Sequence, residues 1–257
     1  MASGSNKVAI VPALNEEGAI ASVISDLRSE APGYDVLVID DGSTDRTAEV
    51  ARDAGAIVLS HPFNLGIGGA VQSGYRYAYL EGYDVAVQVD GDGQHDCALI
   101  AELEQALHGG EADMVWGSRF LEGAGYSVGR TRRFGQLIFA RIVSIITREP
   151  VSDPTSGFRM TNRRGIELFA RDYPHDFPEV EAILMVHAHD MSMRELPVRM
   201  RPRAHGSSTL GGYSAPYYMV RVLLAIFVGL FRRRPVPPPG DDWLATPPSE
   251  ALEGARR

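Results

Sequence analysis

Short apolar runs alternate with amphipathic segments over the first 118 residues. The apolar runs are rich in β-branched residues and predict buried strands over 7–11, 35–40, 56–60, 85–89 and 113–118. The segments between them predict helices over 17–29, 44–54, 68–81 and 98–108. Ser43 is expected to cap the second helix, and Gly55 and Gly82 to follow helix ends. This alternation predicts an α/β fold with a mostly parallel sheet and right-handed crossovers.

Beyond Arg119 the pattern is less regular. A Gly-rich loop over 122–129 is followed by a predicted helix over 132–148, a strand over 157–160, two further helices and a strand over 193–198. We expect one domain over 1–212, with a ligand-binding half at 8–118 and a lid or acceptor half at 119–212.

The end of the chain carries ten consecutive apolar residues, 222–231, between Arg221 and Arg232. A membrane-spanning helix needs about 20 such residues, so an interfacial helix over 213–234 is expected instead. The alternative is a core helix at the domain edge. The Pro-rich, acidic segment 235–257 is predicted to be disordered.

The composition is that of a soluble globular protein. The 257 residues are 44% hydrophobic and 23% charged, which excludes a disordered, collagen-like or multi-span membrane body. Cys97 is the single cysteine and cannot form an internal disulfide, and residues 1–6 have no signal-peptide pattern. We therefore expect a cytoplasmic protein.

The net charge of -8 is unevenly distributed. Residues 1–118 carry five Lys or Arg against nineteen Asp or Glu, whereas 119–164 carry nine against three and 194–234 carry eight against one. This polarity favours a metal-assisted site in the first half and a phosphate- or membrane-facing surface in the second. The alternative is two solvated faces.

Carboxylates follow the predicted strands where ligands bind in open α/β sheets. Asp40 and Asp41 follow the second strand, and Asp90-x-Asp92 follows the fourth, with Gln94 two residues later. So many carboxylates need a cation to offset their repulsion, and hard oxygen ligands indicate Mg²⁺ or Mn²⁺. Such an ion completes its shell with substrate phosphates, which predicts a nucleoside diphosphate ligand. Asp40 or Asp41 is expected to bind the base or ribose, the alternative being a helix cap.

The glycines of segment 64–69 do not form a dinucleotide-binding fingerprint. A G-x-G-x-x-G pattern would need glycine where Val71 stands, and the loop follows the third predicted strand. We expect Gly68 to allow close approach of a helix N-terminus to a substrate. The chain also lacks a P-loop, a G-x-S-x-G elbow, an H-E-x-x-H motif and paired C-x-x-C motifs, which excludes common NTPase, hydrolase and zinc sites.

Together these motifs resemble the inverting family 2 glycosyltransferases of the GT-A fold, and within them the polyprenyl-phosphate (dolichol-phosphate) hexosyltransferases. The resemblance spans residues 8 to about 210 and rests on the stretches 11–17, 38–45, 64–74, 90–95, 117–120 and 153–159.

The resemblance implies roles for particular residues. The nucleotide sugar, a GDP- or UDP-hexose, would contact Pro12, Ala13, Glu16, Asp40 or Asp41, and Gly68, with Arg203 and Ser208 closing over it. The metal would be held by Asp90, Asp92 and Gln94. The acceptor phosphate would meet Arg119 with Arg130 or Arg133, since the planar guanidinium matches phosphate. Asp92 and Arg119 are the predicted catalytic residues.

Two features depart from the family pattern. The 203–209 segment lacks the lysine that many relatives place after its last serine, and the paired C-terminal transmembrane helices of many bacterial relatives are missing. Attachment to the inner face of the cell membrane would then come from 222–231 or from a small membrane partner protein.

The expected activity is metal-dependent hexose transfer to a polyprenyl phosphate, with no nucleic-acid partner. The alternatives are transfer to a soluble or glycan acceptor, a non-catalytic nucleotide-sugar-binding subunit of a membrane complex, and, more distantly, a dehydrogenase.

Overall fold

Seven strands form one sheet in the order β3-β2-β1-β4-β6-β5-β7. The computed structural model describes residues 6–121, residues 130–201 and Leu224, with the backbone alone for 111 and 130–134. The strands are β1 Lys7–Ala13, β2 Tyr34–Asp40, β3 Ile57–Ser60, β4 Val85–Gln88, β5 Met114–Ser118, β6 Arg159–Asn162 and β7 Met193–Pro197. The pairs β1–β2, β2–β3, β1–β4 and β5–β7 are parallel, and β6 runs antiparallel to both β4 and β5. The mostly parallel α/β sheet is thus confirmed.

Seven α-helices accompany the sheet in the described part of the chain. They are α1 Ile20–Glu30, α2 Thr47–Asp53, α3 Gly66–Leu80, α4 Ile100–Ala106, α5 Arg130–Thr147, α6 Arg163–Arg171 and α7 Pro178–Ala188. A 3₁₀ turn at Cys97–Leu99 precedes α4 and a π-turn at Leu107–Glu111 follows it, so the helix predicted over 98–108 is three segments. Gly55 and Gly82 follow helix ends with positive φ, as expected.

The core lies on both faces of the sheet. In β1, Val8 and Ile10 point into one apolar cluster, while Ala9 and Val11 point into the other. Residues of α3 and α6 pack in the first cluster and residues of α1 in the second. Because both faces are covered, the inner strands are continuous apolar runs, and their carboxyl ends are left to carry polar residues.

Ser43 does not cap α2, so that prediction was wrong. The helix begins at Thr47, and the Ser43 hydroxyl accepts a hydrogen bond from the backbone N–H of Asn15 at 3.0 Å. The predicted segments 122–129, 213–234 and 235–257 lie outside the described residues, apart from Leu224, which is helical and exposed.

Candidate functional site

The carboxyl ends of β1, β2 and β4 meet at one edge of the sheet. Ala13 pairs in register with Asp40, and the backbone N–H of Asp41 donates to the Ala13 carbonyl at 2.9 Å. On the other side of β1, a Cβ at Gly91 would lie 3.0 Å from the Pro12 carbonyl oxygen. The three polar segments expected from the sequence therefore lie side by side, with the end of β1 in the middle.

The turn after β1 is tied to the turn after β2. Three consecutive backbone N–H groups of the first turn, those of 15–17, donate to side-chain oxygens of the second, namely Ser43 Oγ, Thr47 Oγ1 and Asp45 Oδ2. Asn15 adopts a positive φ of 56° there. The backbone of Glu16 is thereby fixed on Thr47, and Glu16 is half-buried, whereas Pro12 and Ala13 before it are buried.

Asp41 is buried and holds the loop before α3. Its Oδ1 accepts the N–H of Leu65 at 2.9 Å and faces Nδ1 of His61 at 2.8 Å, while its Oδ2 accepts the N–H of Gly66 at 2.9 Å. The His61 ring continues the chain of hydrogen bonds to Ser73 Oγ on α3, at 2.9 Å. Both oxygens of Asp41 thus serve the protein's own fold.

Asp40 is also buried, but it is engaged differently. Its Oδ1 accepts the backbone N–H of Ser43 at 3.1 Å, and its Oδ2 has no hydrogen-bond partner within 6–121 and 130–201. Of the two neighbouring aspartates, Asp40 is therefore the one with an oxygen available to a nucleoside.

The 90–95 loop carries the predicted metal ligands. The Asp90 side chain is 38% exposed, and Asp92 Oδ1 accepts the backbone N–H of Gln94 at 3.0 Å. Among the described residues, no three His, Cys, Asp or Glu side chains converge into a complete metal site. Two carboxylates and an amide oxygen suit Mg²⁺ or Mn²⁺ that takes its remaining ligands from water and substrate phosphates.

His95 supports the same loop. Its Nδ1 accepts the backbone N–H of Asp90 at 3.0 Å, so in the neutral ring the proton lies on Nε2, which is 3.5 Å from Asp90 Oδ2. The ring is buried and stacks on Phe158, with centroids 4.9 Å apart. His95 belongs to the sequence motif, but no role was predicted for it.

Arg119 follows β5, whose carboxyl end lies at the same edge because β4 and β5 are both antiparallel to β6. The buried carboxylate of Asp153 holds its guanidinium, with Nε–Oδ2 at 2.6 Å and Nη2–Oδ1 at 2.8 Å. Nη2 also donates to Thr155 Oγ1 at 2.7 Å. The Arg119 side chain is 11% exposed, so the guanidinium is fixed in orientation before any ligand arrives.

Asp153 is itself held by Glu195 of β7. The Glu195 carboxylate accepts the backbone N–H groups of Ser152 and Asp153, at 2.8 Å each, and Trp116 Nε1–H at 2.9 Å. Burial raises the pKa of Glu195, and the N–H groups of Asp153 and Ser152 oppose that rise. No sequence pattern indicated this network, because its members lie on separate elements.

Four further predicted site residues are described only in their backbone or lie outside the described residues. Arg130 and Arg133 lie in the first turn of α5, where the backbone alone is described, and Arg203 and Ser208 lie outside the described residues. Arg201 lies beside the 90–95 loop, since its backbone N–H donates to the Gln94 carbonyl at 2.8 Å.

Gly68 is buried against the protein's own backbone. A Cβ there would lie 2.3 Å from the Pro174 carbonyl oxygen and 2.6 Å from His175 Cα. The close approach that glycine allows in this structure is to residues 174–175, and the substrate role of Gly68 stays a prediction.

A buried arginine on β6, paired in register with Gln88 of β4, was also missed. Arg159 is fully buried on β6 and donates to the backbone carbonyls of Pro154, Ser156 and Glu179. Burial raises the pKa of Glu179, and the Arg159 cation opposes that rise. A single arginine within a strand pattern gave no indication of this burial.

The model of the family described as Glycosyl transferase family 2 matches residues 8–169. This chain belongs to that family. The matched range contains the acidic loop, Asp40, Arg119 and Asp153. The chain is accordingly a nucleotide-sugar-dependent glycosyltransferase, and the resemblance seen in the sequence is confirmed.

Curated relatives of this glycosyltransferase include enzymes named for lipid-phosphate acceptors. The undecaprenyl-phosphate mannosyltransferase of Micrococcus luteus is 28% identical, over 79% of this chain and 86% of its own length. The UDP-N-acetylglucosamine–dolichyl-phosphate N-acetylglucosaminyltransferase of Methanococcus voltae is 26% identical, over 82% of this chain and 93% of its own.

A solved structure establishes the fold. The glucosyl-3-phosphoglycerate synthase of Mycobacterium tuberculosis, in complex with Mn²⁺, UDP and phosphoglyceric acid, matches with a TM-score of 0.65. It covers 93% of this chain and 81% of the other, at 20% identity. The fold is the GT-A fold. In 6–121 and 130–201, no helix has the length and apolar character needed to cross a membrane.

Proposed function

We propose that this glycosyltransferase moves a hexose, of mannose or glucose type, from a nucleoside diphosphate sugar to a polyprenyl phosphate. The observation that carries the proposal is a shared edge of the sheet. It presents the acidic 90–94 loop, suited to a metal-bound diphosphate, and Arg119, whose guanidinium is already oriented by Asp153. The lipid-phosphate acceptors in the names of the Micrococcus luteus and Methanococcus voltae relatives support the choice of acceptor.

The donor is assigned to the ends of β1, β2 and β4. Pro12, Ala13, Glu16 and Asp40 would hold the nucleoside, with Arg203 and Ser208 over the diphosphate. Asp90, Asp92 and Gln94 would hold Mg²⁺ or Mn²⁺. When bound, the ion supplies charge stabilisation for the departing diphosphate. The solved relative named with Mn²⁺ and UDP is consistent with this assignment.

The acceptor is assigned to the arginines. A phosphate oxygen of the lipid attacks the anomeric carbon in line, a new C–O bond forms, and the bond to the nucleoside diphosphate breaks with inversion. Arg119, with Arg130 or Arg133, would orient the phosphate and offset its repulsion from the donor diphosphate. A phosphate monoester, with a second pKa of about 6, is mostly ionised at neutral pH, so the reaction needs no protein base.

The site would work at the inner face of the cell membrane. Segment 213–234, with its ten apolar residues between arginines, would lie in the interface, either directly or with a small membrane partner protein. Removing 213–257 should then reduce binding to liposomes, and high salt should weaken attachment of the full chain to anionic lipid.

The experiment that tests this function has two stages. Thermal stabilisation with GDP- and UDP-sugars, with and without Mn²⁺, first identifies the donor. Turnover is then measured with a short polyprenyl phosphate, phosphoglyceric acid and no added acceptor. We expect metal-dependent transfer to the lipid phosphate. Transfer to phosphoglyceric acid alone, or metal-dependent binding without any transfer, would contradict the proposal.

A further inference from the structure

Segment 153–159 (Asp153 to Arg159) contacts both halves of the site, and no role was derived for it from the sequence. One end contacts Arg119 and the other contacts Asp90. Gly157 is four positions after Asp153, so the two residues are at most about 14 Å apart along the chain. We infer that segment 153–159 is a positioning element that fixes the acceptor arginine Arg119 relative to the metal ligand Asp90. This inference rests on the proposed function.

At the acceptor end, the contact with Arg119 is bidentate and reinforced. Asp153 binds Nε and Nη2 of Arg119 and also accepts its backbone N–H at 3.1 Å, while Thr155 Oγ1 accepts from Nη2. Both the position of the backbone and the orientation of the guanidinium at residue 119 therefore depend on this segment.

At the metal end, Gly157 lies against the Asp90 carboxylate. A Cβ at position 157 would lie 3.0 Å from Asp90 Oδ1 and 3.2 Å from Oδ2, and 3.3 Å from Gln88 Nε2. The next residue, Phe158, stacks on His95, which binds the backbone of Asp90. A larger residue at 157 would thus push on the carboxylate assigned to the metal.

Hydrogen bonds with Glu195 and Arg159 fix both ends of the segment. Glu195 accepts the N–H groups of 152 and 153, and the guanidinium of Arg159 donates to the carbonyls of Pro154 and Ser156. Phe158 also accepts the backbone N–H of Gly117 through its carbonyl, at 2.9 Å. Because these bonds are buried or partly buried and come from separate elements, a displacement at one end is not absorbed by a mobile loop.

The inference predicts that the two ends fail in different ways. Asp153→Asn should raise the KM for a short polyprenyl phosphate at least tenfold and leave Mn²⁺ affinity, measured with bound nucleotide, within twofold of wild type. Gly157→Ala should weaken Mn²⁺ affinity at least tenfold and change the acceptor KM little at saturating Mn²⁺. Thr155→Val, which removes one hydroxyl, should raise the acceptor KM about threefold and serves if Asp153→Asn does not fold.

Matched controls separate positioning from general stability. Asp113→Asn removes another aspartate that pairs with an arginine, Arg164 at 3.1 Å, on the amino side of β5. Gly33→Ala adds a methyl group whose nearest neighbour beyond the adjacent residues is Lys7 Nζ at 3.8 Å. Both controls should leave the two constants within twofold of wild type, even where they lower the melting temperature.

The outcomes distinguish this inference from the proposed function. The inference would be overturned if Asp153→Asn and Gly157→Ala impaired the acceptor KM and the Mn²⁺ affinity equally. It would also be overturned if the control variants showed losses of the same size. If the wild type transfers nothing to polyprenyl phosphate, the proposed function fails. The segment is then judged from Mn²⁺ affinity and from metal-dependent hydrolysis of the donor, both of which Gly157→Ala must weaken and Asp153→Asn must leave unchanged.

Discussion

His95 binds Asp90 at two points: Nδ1 accepts the Asp90 backbone N–H at 3.0 Å, and Nε2 lies 3.5 Å from Asp90 Oδ2. The backbone contact fixes which nitrogen carries the proton in the neutral ring, and the ring is locked by stacking on Phe158. A histidine so placed orients a carboxylate before a metal binds, as outer-shell partners do in metal sites.

Replacing His95 with phenylalanine should therefore weaken metal binding. The variant keeps an aromatic ring on Phe158 but loses both nitrogens, and Mn²⁺ affinity in the presence of nucleotide should fall about tenfold. Calorimetric titration measures this change. His108→Phe is the matched control, because His108 is exposed and hydrogen-bonds to a helix carbonyl of Glu104. Unchanged affinity in His95→Phe would contradict the role.

Asp92→Asn should abolish turnover and metal-dependent donor binding while the fold stays intact. Asparagine keeps an oxygen for the Gln94 N–H, so the loop retains its hydrogen bond, but the ligand charge is lost. Circular dichroism and a turnover assay with Mn²⁺ test the two halves of the prediction. Near-normal activity in a folded variant would refute the metal assignment.

Replacing Asp41 should mainly lower stability, whereas replacing Asp40 should mainly weaken nucleotide binding. Asp41→Asn leaves one of the N–H groups of 65 and 66 without its carboxylate acceptor, which should cost about 2–3 kcal/mol of unfolding free energy. Asp40→Asn keeps the oxygen that accepts from Ser43, so it should cost less than about 1 kcal/mol but weaken nucleotide binding. Urea unfolding and nucleotide titration compare the two. The reverse pattern would make Asp41 the nucleoside ligand.

The buried thiol of Cys97 predicts a pH dependence of stability. Burial raises its pKa to about 12, against about 8.5 in an unfolded chain. A raised folded pKa means that this contribution is complete below pH 8.5 and is lost as pH rises toward the folded value, at up to about 1.4 kcal/mol per pH unit. Urea unfolding between pH 7.5 and about 9, where unfolded tyrosines are still mostly protonated, should show a steeper decline for wild type than for Cys97→Ala. Parallel declines would be inconsistent with a buried neutral thiol.

Joint removal of the charges of Arg130 and Arg133, as alanines, should raise the KM for lipid phosphate or lower turnover while donor affinity is kept. Both positions lie in the first turn of α5, and the proposed function assigns them to the acceptor phosphate rather than to the donor. Steady-state kinetics with the acceptor and then the donor varied gives the answer. An equal loss of donor affinity would remove these arginines from the acceptor side.

Local pattern was enough to predict most of the sheet, but not the links between its ends. Runs of apolar, β-branched residues predicted both ends of β1 and β2 to within two residues. Such unbroken apolar runs arise because these strands are buried on both faces of the sheet. The reversed direction of β6 depends on which strands it pairs with, which no local period encodes. Ser43 does not act as a helix cap because its hydroxyl accepts a hydrogen bond from the backbone N–H of Asn15, 28 residues away.

The same limit applies to the site. The acidic residues could be predicted because three parallel strands end at one edge, and position in the chain alone places them there. The sequence could not separate Asp40 from Asp41, since the difference lies in the loop at 61–66 that folds over one of them. The pairing of Arg119 with Asp153, across 34 residues, likewise follows from the tertiary fold.

The most direct test of the central claim is a comparison of two acceptors that differ by one group. Wild-type protein is incubated with the donor identified by thermal stabilisation, with Mn²⁺, and with a short polyprenyl phosphate or the matching polyprenol, and the lipid products are identified by mass spectrometry. The proposed function predicts that the polyprenyl phosphate gains a hexose on its phosphate and that the polyprenol gives no product. It also predicts no product from either acceptor when the metal is chelated. A glycosylated alcohol, or metal-independent transfer, would contradict it.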